Sequence, residues 1–275
     1  MSEVIVLVHG VLGYERLPSP IGDYFVGVAD HLRRLGHDVF VPELSPTRGI
    51  SDRAQQLEQF LLTRLPFNSK RCHLVAHSMG GLDGRYLLHH FPAARIRVQS
   101  LVTIGTPHQG SSVADQLERD VGLPLNLLNT IWEPLQRDTA ALHALTTDAC
   151  RAFNQATPLT DGIRYIFIAG DASASPTHSF LFNALSHYGE MNDINDGVVE
   201  RSSALFLENP DSRIERWATD WAADHGELVG RESGPPLLHP FPWPDFVRPM
   251  LGTTSPRMTL HLKRYEQVAR VLAKR

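Results

Sequence analysis

Residues 72–91, CHLVAHSMGGLDGRYLLHHF, leave a chain of this kind little choice of fold. An apolar run, Cys72-His73-Leu74-Val75-Ala76, stops at His77-Ser78-Met79-Gly80-Gly81, and a segment with helical spacing (Leu82, Tyr86, Leu87, His90) begins at once. The pattern predicts strand, sharp turn, helix. A strand that reverses directly into a helix forces the residue at the tip into a strained backbone conformation, so the positions flanking it must be small. Ala76 and Gly80 occupy those two positions of a G-x-S-x-G pattern, with Ala in place of the first Gly. Such a turn lifts the Ser78 hydroxyl clear of the sheet. It also aims a helix N-terminus at the hydroxyl, where backbone N–H groups stabilise negative charge developing on an oxygen. Taken alone, Ser78 reads equally as a helix N-cap.

The remainder of the chain alternates strand with helix. Val4-Ile5-Val6-Leu7-Val8 is a continuous apolar run, as expected of a strand covered on both faces, and it ends in the glycine-bearing loop His9-Gly10-Val11-Leu12-Gly13. Residues 21–35 carry helical spacing closed by Gly36, and Asp38 to Val41 reads as a strand stopped by Pro42. Ser51 is the expected cap of a third amphipathic segment that ends near Pro66. After the elbow come strands at Val98–Ile104 and Arg164–Ala169, with a further strand expected at Ser202–Leu207. Residues 172–195 read as loop with one apolar patch, Phe180-Leu181-Phe182; residues 234–257 are proline-rich, and 258–275 form a basic amphipathic helix. A plain crossover needs about a dozen residues. Residues 112–157, with Leu123 to Leu128 and Ile131-Trp132 at their centre, exceed that and read either as a cap over the site or as extra helices on the sheet edge. The whole, residues 1–275, is expected to be one α/β domain: a mostly parallel central sheet with helices on both faces.

Composition narrows the function classes. Net charge is −4 without a Lys/Arg block, which argues against nucleic acid as a partner. No run approaches the ~18 apolar residues of a membrane span. Met1-Ser2-Glu3 leads straight into a strand without a charged leader, so a cytoplasmic location is the expectation, with a secreted protein trimmed of its leader as the other reading. Two cysteines, Cys72 and Cys150, are too few for a disulfide framework. In open parallel sheets, active groups collect beyond the carboxyl ends of the strands. Here His9-Gly10, Ser78, Asp196 and His225 fall at such ends, in the order Ser, Asp, His.

These segments resemble the α/β-hydrolase fold, and within it the bacterial triacylglycerol lipases and carboxylesterases. The matching pieces are VLVHGVLG, PELSPTRGISDRAQQL, AHSMGGLDGRYLL, IGTPHQGS, NDGVV and DHGEL. The resemblance implies a serine carboxyl-ester hydrolase that is free of cofactors and acts on esters with an apolar acyl group. Ser78 would be the nucleophile, Asp196 the acid and His225 the base, with the Val11 and Met79 amides as oxyanion hole. A small-molecule or lipid ester is the implied substrate, with transient contact at a lipid interface. Thioesterases and phospholipases use the same three groups. A catalytically silent ligand-binding member of the fold is the non-enzyme alternative, although such proteins typically lose the Ser or the His.

Each assignment has a rival. Asp171 and Asp193 compete for the acid; His239 and His261 compete for the base, with a surface position as the other reading of His261. His9 and His77 read as braces of the oxyanion loop and elbow, His108 as brace or cap residue, and Asp83 with Arg85 as an ion pair. Secreted lipases of this type commonly carry a calcium site with an acidic ligand two residues after the catalytic His. Glu227 stands at that place here. The flanking Asn residues of the longer motif are missing, and no metal is predicted.

Overall fold

In the computed structural model, residues 2–11, 24–65, 71–119, 139–175, 180–231 and 256–274 are described. Six strands form one sheet: β1 (Val4–Val8), β2 (Asp38–Phe40), β3 (Cys72–His77), β4 (Val98–Ile104), β5 (Arg164–Ile168) and β6 (Ile214–Arg216). Their order is β2-β1-β3-β4-β5-β6, and every pairing is parallel. The helices that bear on it are α1 (Val28–Arg34), α2 (Ile50–Arg64), α3 (Gly80–His90), α4 (Pro92–Arg95), α5 (Ser112–Arg119), α6 (Ala140–His143), α7 (Thr147–Ala156), α8 (Phe180–Tyr188), α9 (Arg201–Ala204) and α10 (Pro256–Leu272).

Alternate residues of a strand face opposite sides, and both sides of this sheet are covered. Val4, Val6 and Val8 join Leu74, Ala76, Leu101, Tyr165 and Phe167 in one core with Leu57 and Leu61 of α2 and Leu87 of α3. Ile5 and Leu7 join Val75, Val102 and Ile166 in the other, with Val28 and Leu32 of α1 and Tyr265, Val268 and Leu272 of α10. That second core is what docks the C-terminal helix. Its solvated basic face follows from the same spacing.

Several local expectations change. The predicted strand over Ser202–Leu207 is instead the short helix α9 with turns behind it. The stretch read as loop contains α8, and the three-residue strand β6 stands where no strand is expected. Gly49, not Ser51, is the N-cap of α2, which begins at Ile50. Cys72 and Cys150 are both free and buried. Of the 112–157 insertion, α5, α6 and α7 are described; the Leu123–Leu128 and Ile131-Trp132 cluster lies outside the described residues, as does the proline-rich 234–255 stretch. The Asp115 carboxylate ties α5 to α7 by accepting from the Thr147 amide at 2.8 Å and its hydroxyl at 2.9 Å.

What the topology does for the site is bring loops together. Strand order reverses between β1 and β3, the place where open α/β sheets form a crevice. The register Val8↔Ala76 sends the chains after β1 and β3 out at the same level, so Gly10 and Ser78 emerge side by side.

Candidate active site

Ser78 sits at the tip of the β3–α3 turn with φ of 54°, in the left-handed region that non-glycine residues avoid. Neighbouring strands hold it there: its amide donates to the Ile104 carbonyl at 3.0 Å, and its own carbonyl accepts from the Thr106 hydroxyl at 2.7 Å. Gly80 lets the helix cross tightly over β1. A Cβ on it would lie 2.6 Å from the Val8 carbonyl oxygen and 2.8 Å from that of His9. The obstructing atoms are backbone and cannot rotate away. Gly80→Ala is therefore expected to cost about 2–4 kcal/mol of stability, comparable to severe overpacking. Urea denaturation reads this directly; an unchanged midpoint would show that the elbow yields freely.

The three sequence-predicted side chains, 147 residues apart at the extremes, come together beyond the sheet. His225 Nε2 lies 3.1 Å from Ser78 Oγ, and His225 Nδ1 lies 2.8 Å from Asp196 Oδ2. Asp196 is almost fully buried, and its other oxygen, Oδ1, accepts from the amides of Val198 at 3.0 Å and Val199 at 2.8 Å. That leaves Oδ2 for the imidazole. A carboxylate at Nδ1 favours the tautomer with its proton there, so Nε2 is left as an acceptor facing the serine hydroxyl. The His225 amide also donates to the Asp196 carbonyl at 2.8 Å, fixing one loop on the other by backbone. Gly105, at φ 57°, lies under this pair; a Cβ there would come 2.8 Å from Asp196 Oδ2.

The rivals lie elsewhere. One Asp171 oxygen accepts from Ser173 and Ala174, and Asp193 caps the Ile194 amide. His261 is buried in α10 against Tyr265, which corrects its reading as a surface residue; His239 lies outside the described residues. Asp83 pairs not with Arg85 but with Arg53, at 2.8 Å. The reason is geometric, since residues two apart on a helix point in different directions. Arg85 runs instead to the Asn154 side chain at 2.8 Å and the Thr157 carbonyl at 3.0 Å, between the Phe153 and Phe206 rings.

Histidines and a tyrosine brace the loops. His9 Nε2 accepts from the Leu44 amide at 3.0 Å; burial and the nearby Arg53 charge push its pKa down to about 3, so the ring stays neutral. Tyr24 was missed by sequence reasoning, because nothing local marks an aromatic before a helix as a partner for residues fifty positions on. Its hydroxyl accepts from the Gly10 amide at 3.1 Å and meets His77 Nδ1 at 2.7 Å. Burial holds His77 well below the usual histidine range, so its neutral Nδ1 accepts a hydrogen bond from the tyrosine hydroxyl. The His77 ring then lies 4.5 Å from the His225 ring. His108 is stacked on Phe167 and bonded to the Thr103 hydroxyl, a brace within the core. Val11 and Met79 sit at the mouths of the two loops, Met79 as the N-cap of α3. Among the described residues, neither main-chain amide donates to another group. Both cysteine thiols are pushed up to about 12 by burial, so both stay protonated at neutral pH. Phe182, on the unforeseen helix α8, presents its ring edge-on to His225 at 6.2 Å.

Comparison with known proteins gives a consistent picture. The family described as alpha/beta hydrolase fold matches residues 3–144. The chain is 31% identical over 231 residues to a triacylglycerol lipase of Vibrio cholerae, spanning 72% of this chain and 72% of that protein. It is 32% identical over 173 residues to a triacylglycerol lipase of Pseudomonas fragi, spanning 56% of this chain and 57% of the relative. Among solved structures, a metagenomic carboxyl esterase superposes with a TM-score of 0.70 at 21% identity, over 96% of this chain and 75% of the esterase. The mature form of a Bacillus licheniformis lipase gives 0.66 at 23%, over 83% and 86%. At those identities the structural likeness speaks for the fold alone.

Proposed function

Because this chain belongs to the alpha/beta hydrolase fold family, we propose that it is a serine carboxyl-ester hydrolase working through an acyl-enzyme, with Ser78, His225 and Asp196 as its reacting groups. The observation that carries this reading is the unbroken line of contacts from Ser78 Oγ through both imidazole nitrogens to a buried carboxylate. A serine hydroxyl is a weak nucleophile at neutral pH. In the proposed reaction its proton passes to His225 Nε2 as Oγ attacks the ester carbonyl, and the carbonyl electron pair moves onto oxygen. The Val11 and Met79 amides donate to that oxyanion, and Asp196 stabilises the imidazolium without taking its proton. Collapse expels the alcohol, which takes the proton from Nε2, and leaves an ester on Ser78. Water then repeats the sequence, releasing the acid.

An apolar acyl group is the proposed substrate feature. The leucine-rich 112–157 insertion, read as a cap, supports it, as does the apolar helix α8 with Phe182 against the base. The names of the relatives, triacylglycerol lipase and carboxyl esterase, point the same way. A fluorophosphonate probe should label the folded protein, and p-nitrophenyl esters of increasing acyl length should give a kcat/KM that rises from acetate toward longer chains. A folded protein that neither labels nor hydrolyses any ester of the series removes the reading. Turnover that climbs steeply above the substrate's solubility limit would mark a lipase; saturation below it, an esterase.

A further inference from the structure

His225 stands on a loop, and a loop needs something to hold it. Asp224 and Glu227, on either side of His225, bond reciprocally: Asp224 Oδ1 accepts from the Glu227 amide at 2.9 Å, and Glu227 Oε2 accepts from the Asp224 amide at 3.0 Å. This is the two-way arrangement of a helix capping box, here closing the entry to the single turn Glu227–Val229. Glu227 Oε2 also accepts from the Ser175 hydroxyl at 2.7 Å. Ser175 lies on the turn after β5, whose backbone is fixed to both other site loops: Ala172 donates to the Asn195 carbonyl beside Asp196, and Ala223 donates to the Asp171 carbonyl. One carboxylate thus links the base loop to the β5 turn, and that turn's backbone reaches the acid loop.

The family resemblance places a calcium ligand at the position of Glu227, and the donor set does not suit one. Calcium takes six to eight oxygens at about 2.3–2.6 Å. Two hydrogens already point at Glu227 Oε2, Asp224 Oδ1 is turned to an amide, and the described residues hold no group of three His, Cys, Asp or Glu side chains able to surround a metal. We propose that Glu227, with Asp224 and Ser175, is a hydrogen-bonded clamp that positions His225 against Ser78, and that this chain holds its base loop by the clamp and not by a cation.

The inference rests on the hydrolase reading and has its own readouts. Glu227→Ala should lower kcat on a p-nitrophenyl ester about 10- to 100-fold, the scale of a base displaced by an ångström or less, with KM changed by less than about 3-fold. Fluorophosphonate labelling should slow in proportion. Glu227→Gln keeps an oxygen acceptor and drops the charge, so it should rescue kcat to within about 5-fold of wild type without added calcium, whereas at a cation site the lost charge would weaken binding and make kcat depend on added calcium chloride. Ser175→Ala removes one of the two bonds and should cost about 3-fold, which decides the matter if Glu227→Ala fails to fold. Wild-type kcat and melting temperature should not respond to EDTA or to added calcium chloride. Full kcat in both alanine variants overturns the clamp. So does a calcium-dependent rise in melting temperature that Glu227→Gln abolishes. A wild type without hydrolysis or labelling would instead sink the hydrolase reading beneath it.

Discussion

Ser78→Ala should abolish fluorophosphonate labelling and lower kcat/KM for a p-nitrophenyl ester by about 10⁴- to 10⁶-fold, as should His225→Ala, because the groups act as a unit. The double variant should be no slower than either single one, since removing the base from an enzyme without its nucleophile takes nothing more away. Asp196→Asn should be milder, about 10⁴-fold at most, through loss of the tautomer that leaves Nε2 free to accept. Asp196 is nevertheless costly to replace structurally, since Oδ1 also closes the turn through Val198 and Val199. The asparagine keeps an oxygen for those amides; alanine would open the loop and mix folding with catalysis. Circular dichroism on each variant separates the two effects. Residual hydrolysis in Ser78→Ala above roughly a hundredth of wild type would assign the nucleophile to another residue.

How much of this was legible in the chain depends on whether the signal was local. The elbow was, because Ala76, Ser78 and Gly80 each answer a steric demand within five residues, and the φ of 54° at Ser78 is the strain the spacing implied. Strand runs on both sides of it were legible for the same reason, since a strand buried on both faces shows as an apolar run. Helix α8 was not. An apolar triplet next to Asn and Ser carries no periodicity, and its helical state is set by packing against α5 and the His225 loop. The Gly197 and Gly226 positions show this closeness, each with Phe182 within 3.0 Å of where a Cβ would stand. Asp196 and His225 were located by order and resemblance, not by geometry. Tyr24 and Arg53 carry no local mark at all, since a tyrosine or arginine in an amphipathic stretch looks like any other until the fold supplies its partners.

Arg53→Met should destabilise the protein by about 3–5 kcal/mol, the cost of breaking a buried ion pair from one side. Arg53 has no solvent exposure, and its guanidinium donates to Asp83 at 2.8 Å, to the His9 carbonyl at 2.7 Å and to the Ser45 carbonyl. Burial pushes the Asp83 carboxyl up to about 6 while the Arg53 charge pulls it down. A group whose folded pKa lies above its unfolded value stabilises below the unfolded pKa and loses that contribution as pH rises through the folded one. Without Arg53 the folded pKa moves higher still, so the variant's deficit should grow as pH rises through about 6 in urea titrations. Adding Asp83→Leu should recover most of the stability, because no uncompensated charge then remains. It should not recover activity. The His9 carbonyl, one residue before Gly10, still lacks its donor, and the loop that presents the Val11 amide loses an anchor on the side away from Tyr24. A double variant that regains both stability and kcat would show that Arg53 serves the core alone; stability without kcat would tie the buried pair to the proposed oxyanion loop.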